Sequence, residues 1–167
     1  MQKEKRKLNQ SGMTLIELVV VILIVGILSA GATVGISYIS RMNSTSAGEK
    51  LASLLERTRV YTLSANGTVK LVLKEESGTY YGVLMNGSTE VDKVALGNGS
   101  LTLNVKQAGA ADGDPDVVTT ISSSTSYEIK YNKANGAFEE KYKQIEIVGT
   151  ETRYVKLVHT TGRSYLE

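Results

Sequence analysis

Three kinds of hydrophobic patterning follow one another along the chain. Between Glu17 and Arg41 lie 23 residues without a charge; apart from Glu17 every residue from Leu15 to Val25 is apolar, and apolar residues stay frequent among Gly, Ser and Thr as far as Ile39. A helix needs about 20 mostly apolar residues to cross the hydrocarbon core of a bilayer, so the run predicts a transmembrane helix over about 15–39. After Arg41 the apolar residues thin to a stripe. Ala47, Leu51, Leu54, Leu55, Thr58 and Leu63 recur near i, i+4, i+7 and i+8, with Glu49, Lys50, Glu56, Arg57 and Arg59 between them. That spacing predicts an amphipathic helix with one face for a core. Asn66-Gly67, a pair suited to positive φ, ends it. The expectation is one long helix over 13–66, with its first half in the membrane and its second half on a soluble domain.

From Thr68 the period becomes two. Val69, Leu71 and Leu73 alternate with Lys70 and Lys74, and Glu75-Glu76-Ser77-Gly78 turns the chain into Thr79 to Met85, which reads as a hairpin. Further strands are expected at Glu90 to Leu96, Ser100 to Lys106, Val117 to Ile121 and Tyr127 to Asn132. Others are expected at Phe138 to Val148, Tyr154 to His159 and Ser164 to Leu166, with Asn135-Gly136 as a hairpin turn. The fold class predicted is α+β, a long N-terminal helix packed on an antiparallel, β-sandwich-like domain over 67–167.

Charge changes the picture at the N-terminus. Lys3, Lys5, Arg6 and Lys7 against Glu4 make residues 1–12 +3, so the rest of the chain sums to −1 within the overall +2. Basic residues ahead of the apolar run predict a cytoplasmic N-terminus at a membrane crossed once. A secretory signal would have a shorter apolar region followed by its cleavage site. Here the small polar break, Ser11-Gly12, precedes the apolar run, so a peptidase cutting there would leave the whole helix on the mature protein. Glu17 interrupts the run. A carboxylate near a membrane centre costs about 2.5–3.5 kcal/mol on insertion scales, which marks it as a functional candidate. Cleavage after Gly12 would create its natural partner, the α-amino group of Met13.

Ser11-Gly12, Met13-Thr14-Leu15-Ile16-Glu17 and the apolar run resemble the class III leader of type IV prepilins and type II secretion pseudopilins. The resemblance implies a leader over 1–12, cleaved between Gly12 and Met13 by a prepilin peptidase that also methylates Met13, where the family usually has Phe. It implies that Glu17, fifth in the mature chain, supports assembly with other pilin or pseudopilin subunits on an inner-membrane platform, and that the helix is held in membrane lipid before the subunit joins an extracytoplasmic filament. Tyr127-Glu128-Ile129-Lys130-Tyr131, Gly136, Ile145-Glu146-Ile147 and Thr161-Gly162-Arg163 are similar to minor pseudopilins of the H/FimT type. In the helix, Gly26, Gly31 and Gly35 fit either close helix packing or the locally extended segment known in such filaments.

Other chemistry is sparse. With no cysteine and one histidine, His159, there is no thiolate or multi-histidine metal site to build and no disulfide, and no phosphate-loop motif occurs. No cofactor and no enzymatic activity are expected. Asp112, Asp114 and Asp116 alternate like the start of a calcium loop, yet Val117 and Ser123 stand where an EF-hand needs Gly and Glu. Some pseudopilins bind calcium, so the loop stays a candidate beside the reading as a solvated acidic turn. FimT-like pilins that bind DNA carry G-R-x-R near the C-terminus. This chain has Gly162-Arg163-Ser164-Tyr165, which leaves Arg163 as the candidate DNA contact. Lys130, Lys133, Lys141, Lys143, Arg153 and Lys156 are interleaved with acids, which argues for weak binding.

Overall fold

The computed structural model describes the backbone of residues 14–109 and 114–167, with side chains over 14–26, 43–109 and 114–167. It divides into two compact units, 1–37 and 38–167. The helix α1 (Leu15–Ser64) is α-helical throughout, so Gly26, Gly31 and Gly35 introduce no extended segment. In the first unit every large apolar side chain from Leu15 to Val25 is exposed, Leu15 by 82% and Ile22 by 62%.

In the second unit α1 buries Ser44, Ala47, Leu51, Leu54, Leu55, Thr58 and Thr62. These positions recur with the 3.6-residue period of one helix face. The two buried threonine hydroxyls are satisfied one turn back, Thr58 Oγ1 donating to the Leu54 carbonyl (2.7 Å) and Thr62 Oγ1 to that of Thr58 (2.8 Å). Leu63, expected in the stripe, is 44% exposed. Five residues beyond Thr58 it is rotated by about 140° from the core direction, and Thr62 takes the inward place.

Among the described residues nine strands follow: β1 (Val69–Glu76), β2 (Thr79–Asn86), β3 (Thr89–Asn98), β4 (Thr102–Gln107), β5 (Val117–Thr120), β6 (Tyr127–Lys130), β7 (Tyr142–Val148), β8 (Thr152–Val158) and β9 (Arg163–Leu166). They form two antiparallel sheets, β3-β2-β1-β6 and β5-β4-β7-β8-β9. The β1–β2 turn is Ser77-Gly78, both at positive φ (50° and 75°), which matches the right-handed twist of the strands it joins. The chain changes sheet after β3, β5 and β6. One buried cluster draws on α1 (Leu51, Leu54, Leu55), the first sheet (Leu71, Leu73, Ile129) and the second (Val105, Ile145, Ile147, Val155).

The expected strand from Phe138 begins at Tyr142, and Asn135-Gly136 does not join two paired strands. The turn itself is tight, with Gly136 at φ 68° and the Asn132 amide donating to the Ala137 carbonyl (2.8 Å). Beyond it Ala137 and Phe138 are both buried, so the alternation a strand needs is absent. A single bridge, Tyr131 to Phe138, takes the place of a ladder, and the chain crosses from β6 into the other sheet.

An aromatic group fills this crossing. Phe138 packs on Tyr131 (4.6 Å between ring centres) and edge-on to Tyr142 (5.5 Å). Tyr131 Oη donates to the Leu55 carbonyl of α1 at 3.0 Å. Burial pushes the Tyr131 phenol well above the usual tyrosine range, so it remains a donor. At the opposite edge, β3 is guarded by two bulges against β2 and by charged residues, and an Arg57–Asp92 ion pair ties it to the helix.

Candidate functional site

At the N-terminus, Gly12 and Met13, the expected cleavage and methylation positions, lie outside the described residues. Thr14 and Glu17 are described. Thr14 precedes the first helical residue, and its Oγ1 accepts the Glu17 amide N–H at 3.3 Å. This is the N-cap of α1, with Glu17 at the third helical position, where its carboxylate faces the positive end of the helix dipole. The spacing Thr14-Leu15-Ile16-Glu17 is the S/T-x-x-E capping pattern. It was legible in the sequence but overshadowed by the charge of Glu17.

Glu17 itself is exposed, beside the equally exposed apolar side chains of Leu15 to Val25. Among the described residues no helix is long and apolar enough to cross a membrane. From residue 27 on, the side chains of the span expected over 15–39 lie outside the description.

The other candidate residue, Arg163, opens β9 at one edge of the five-stranded sheet and is exposed. It is opposite Val158 in the β8–β9 ladder, and Lys156 is opposite Tyr165. Its position depends on Gly162, which has φ 65° and presses on the Gly136 carbonyl so closely that a Cβ there would collide with it. Arg59 Nε donates to the same carbonyl at 3.1 Å. The Gly162-Arg163 pair thus has a structural first member and an exposed second.

The remaining cations do not gather around Arg163. Lys156 donates to Gln144 Oε1 (2.7 Å) and pairs with Glu167 (3.4 Å); Arg153 pairs with Glu151 (3.1 Å). Lys130 belongs to the other sheet, beside Glu128 (3.4 Å). These three cations are therefore divided between two sheets and paired with acids, as the interleaving in the sequence suggests.

In the acidic loop, Asp112 lies outside the described residues, but Asp116 is engaged by lysines, Lys143 Nζ at 2.5 Å and Lys106 Nζ at 3.6 Å. The hydrogen bond from Lys143 holds its carboxyl below the usual range. Two ammonium groups thus engage the oxygens Asp116 would offer a cation. Among the described residues no three metal-ligating side chains come together. His159 has a backbone neighbour, its Nδ1 lying 2.8 Å from the Glu140 carbonyl oxygen.

The family model of the prokaryotic N-terminal methylation motif matches residues 7–33, a stretch that includes Gly12, Met13 and Glu17. Neither the curated proteins nor the solved structures compared with the chain give a match. The motif ends before the β-rich unit, so it covers only part of the basic N-terminal segment and the start of the helix. Over that segment the chain is similar to the N-terminal processing motif of type IV prepilins.

Proposed function

We propose that this chain is a minor pilin or pseudopilin, a subunit of a type IV pilus or a type II secretion-like pseudopilus. Prepilin peptidase cuts it between Gly12 and Met13 and methylates the new amino group. The observation that carries the reading is the uninterrupted exposure of Leu15 to Val25 directly within a methylation motif. Such a surface is unstable in water and is stabilised by lipid or by neighbouring helices. The helix first anchors the subunit in the bacterial inner membrane, N-terminus in the cytoplasm, and then packs among other subunits as the assembly platform delivers it to a filament. There Glu17 neutralises the Met13 amine of a neighbour.

The β unit faces outward in this reading, with its two sheets in a sandwich-like, H/FimT-type arrangement, supported by the core they share with α1. It serves contact with other subunits or cargo, and no catalysis is assigned to it. The test is a Glu17→Ala chain in a strain that assembles the filament. Loss of the subunit from the filament fraction, with unchanged membrane content, is expected. Equal incorporation would favour a membrane-anchored binding module that does not polymerise.

A second reading, DNA binding by a competence pilin, draws on exposed Arg163 beside exposed Tyr165. It requires salt-sensitive retention of the detergent-solubilised full chain on immobilised DNA, weakened by Arg163→Ala. Passage without retention at low salt removes it.

A further inference from the structure

The chain contains four Asn-Gly pairs, at 66–67, 86–87, 98–99 and 135–136. In such a pair the glycine amide nitrogen can reach the asparagine side-chain carbonyl with no Cβ to hinder it, and asparagine is among the thermolabile residues for this reason. The fold treats the four differently. Asn135 Oδ1 accepts the Ala137 amide (3.0 Å), and the Gly136 amide is itself committed to the Asn132 carbonyl (2.8 Å). Asn98 Oδ1 accepts from Ser100 Oγ (2.6 Å) and from the Ser100 amide (3.3 Å). Asn86 Nδ2 donates to the Asn66 carbonyl (3.0 Å), and the Gly87 amide donates to the Thr68 carbonyl (2.8 Å). At three sites the electrophile, the nucleophile or both are held by hydrogen bonds that ring closure must break.

Asn66-Gly67 lies in the exposed link between α1 and β1. Among the described residues no hydrogen bond holds the Asn66 side chain or the Gly67 amide. We propose that Asn66-Gly67 is a site of spontaneous covalent modification, where the fold permits succinimide formation and deamidation that it restrains at the other three pairs. The Gly67 nitrogen attacks Asn66 Cγ; the Cγ–Nδ2 bond breaks and ammonia leaves with the displaced amide proton. Water then opens the imide at either carbonyl, giving aspartate or isoaspartate. No oxidant or cofactor takes part. The product places a carboxylate just past the C-terminus of α1, where the helix dipole disfavours negative charge, and isoaspartate lengthens the backbone at the carbonyl that Asn86 holds. Modification therefore loosens the junction between the helix and the first sheet as the protein ages.

Trypsin separates the four pairs into peptides 60–70, 75–93, 94–106 and 134–141. The full chain in detergent is incubated in mildly alkaline buffer, and each peptide is followed by mass spectrometry for the one-dalton gain and by isoaspartyl methylation. The 60–70 peptide is expected to convert about tenfold faster than the others. Incubation in denaturant before digestion is expected to bring the four rates together, and Asn66→Gln to abolish the fast phase. Equal rates in the folded protein, or a faster site among the other three, would overturn the proposal.

Discussion

Thr14 and Glu17 form a helix cap, and separate substitutions can distinguish that cap from the proposed assembly role of Glu17. The cap depends on the Thr14 hydroxyl, which accepts the Glu17 backbone amide. Thr14→Ala is expected to cost about 1 kcal/mol of helix stability at that end, and Thr14→Ser almost nothing. Helicity of the detergent-solubilised chain measured by circular dichroism checks this. Glu17→Gln keeps the backbone donor and a side chain suited to the third helical position, but removes the charge. It is expected to preserve helicity yet fail to assemble, the same failure expected of Glu17→Ala. Assembly by Glu17→Gln would mean that capping, not charge, is what the filament needs.

Two other residues give predictions for the β unit. Tyr131→Phe removes the buried hydrogen bond to the Leu55 carbonyl and is expected to destabilise by about 1 kcal/mol in denaturant unfolding. Glu76 is held at about 2, chiefly by hydrogen bonds from Lys74 and Lys93. A depressed carboxyl contributes stability above its unfolded value of 4.5, and the contribution is lost as pH falls toward 2. Glu76→Gln is expected to flatten the acid limb of the melting temperature over that window, and added salt to shrink the difference, because the group is exposed.

At the scale of elements, local pattern was informative where local rules decide. The β1–β2 hairpin follows from strict alternation and a two-residue turn, and Ser77 at φ 50° is its weak point. Ser77→Asn suits that left-handed conformation better and is expected to raise stability by about 0.5 kcal/mol in thermal unfolding. The buried stripe of α1 was legible to Thr58 but not at Leu63, where hydrophobicity was mistaken for facing. Asn135-Gly136 correctly marked a turn. Which strands it would connect depended on Tyr131 and Phe138 entering a core shared by two sheets, a contact no local window contains. The partners of Asp116 in the acidic loop are equally non-local, because the lysines that engage it come from β4 and β7. Gly162→Ala tests this crossing of the fold. Left-handed φ and the adjacent Gly136 carbonyl together are expected to cost about 1–3 kcal/mol and to displace Arg163.

For the whole molecule, the division of charge and apolar surface along the chain carries the functional reading. A basic N-terminal segment precedes a helix whose first turns expose only apolar side chains apart from Thr14 and Glu17, whereas most large apolar residues of the β unit enter one core shared with the helix. The methylation motif joins the first two parts into a processing signal. Under the proposed function, the β unit is where any difference between pilus, secretion and DNA-uptake subunits would reside. The most direct test is the intact mass and N-terminal sequence of the protein purified from cells that contain prepilin peptidase. The account predicts a chain beginning at Met13 and carrying one N-methyl group. A chain still beginning at Met1, with residues 1–12 in place, would contradict it.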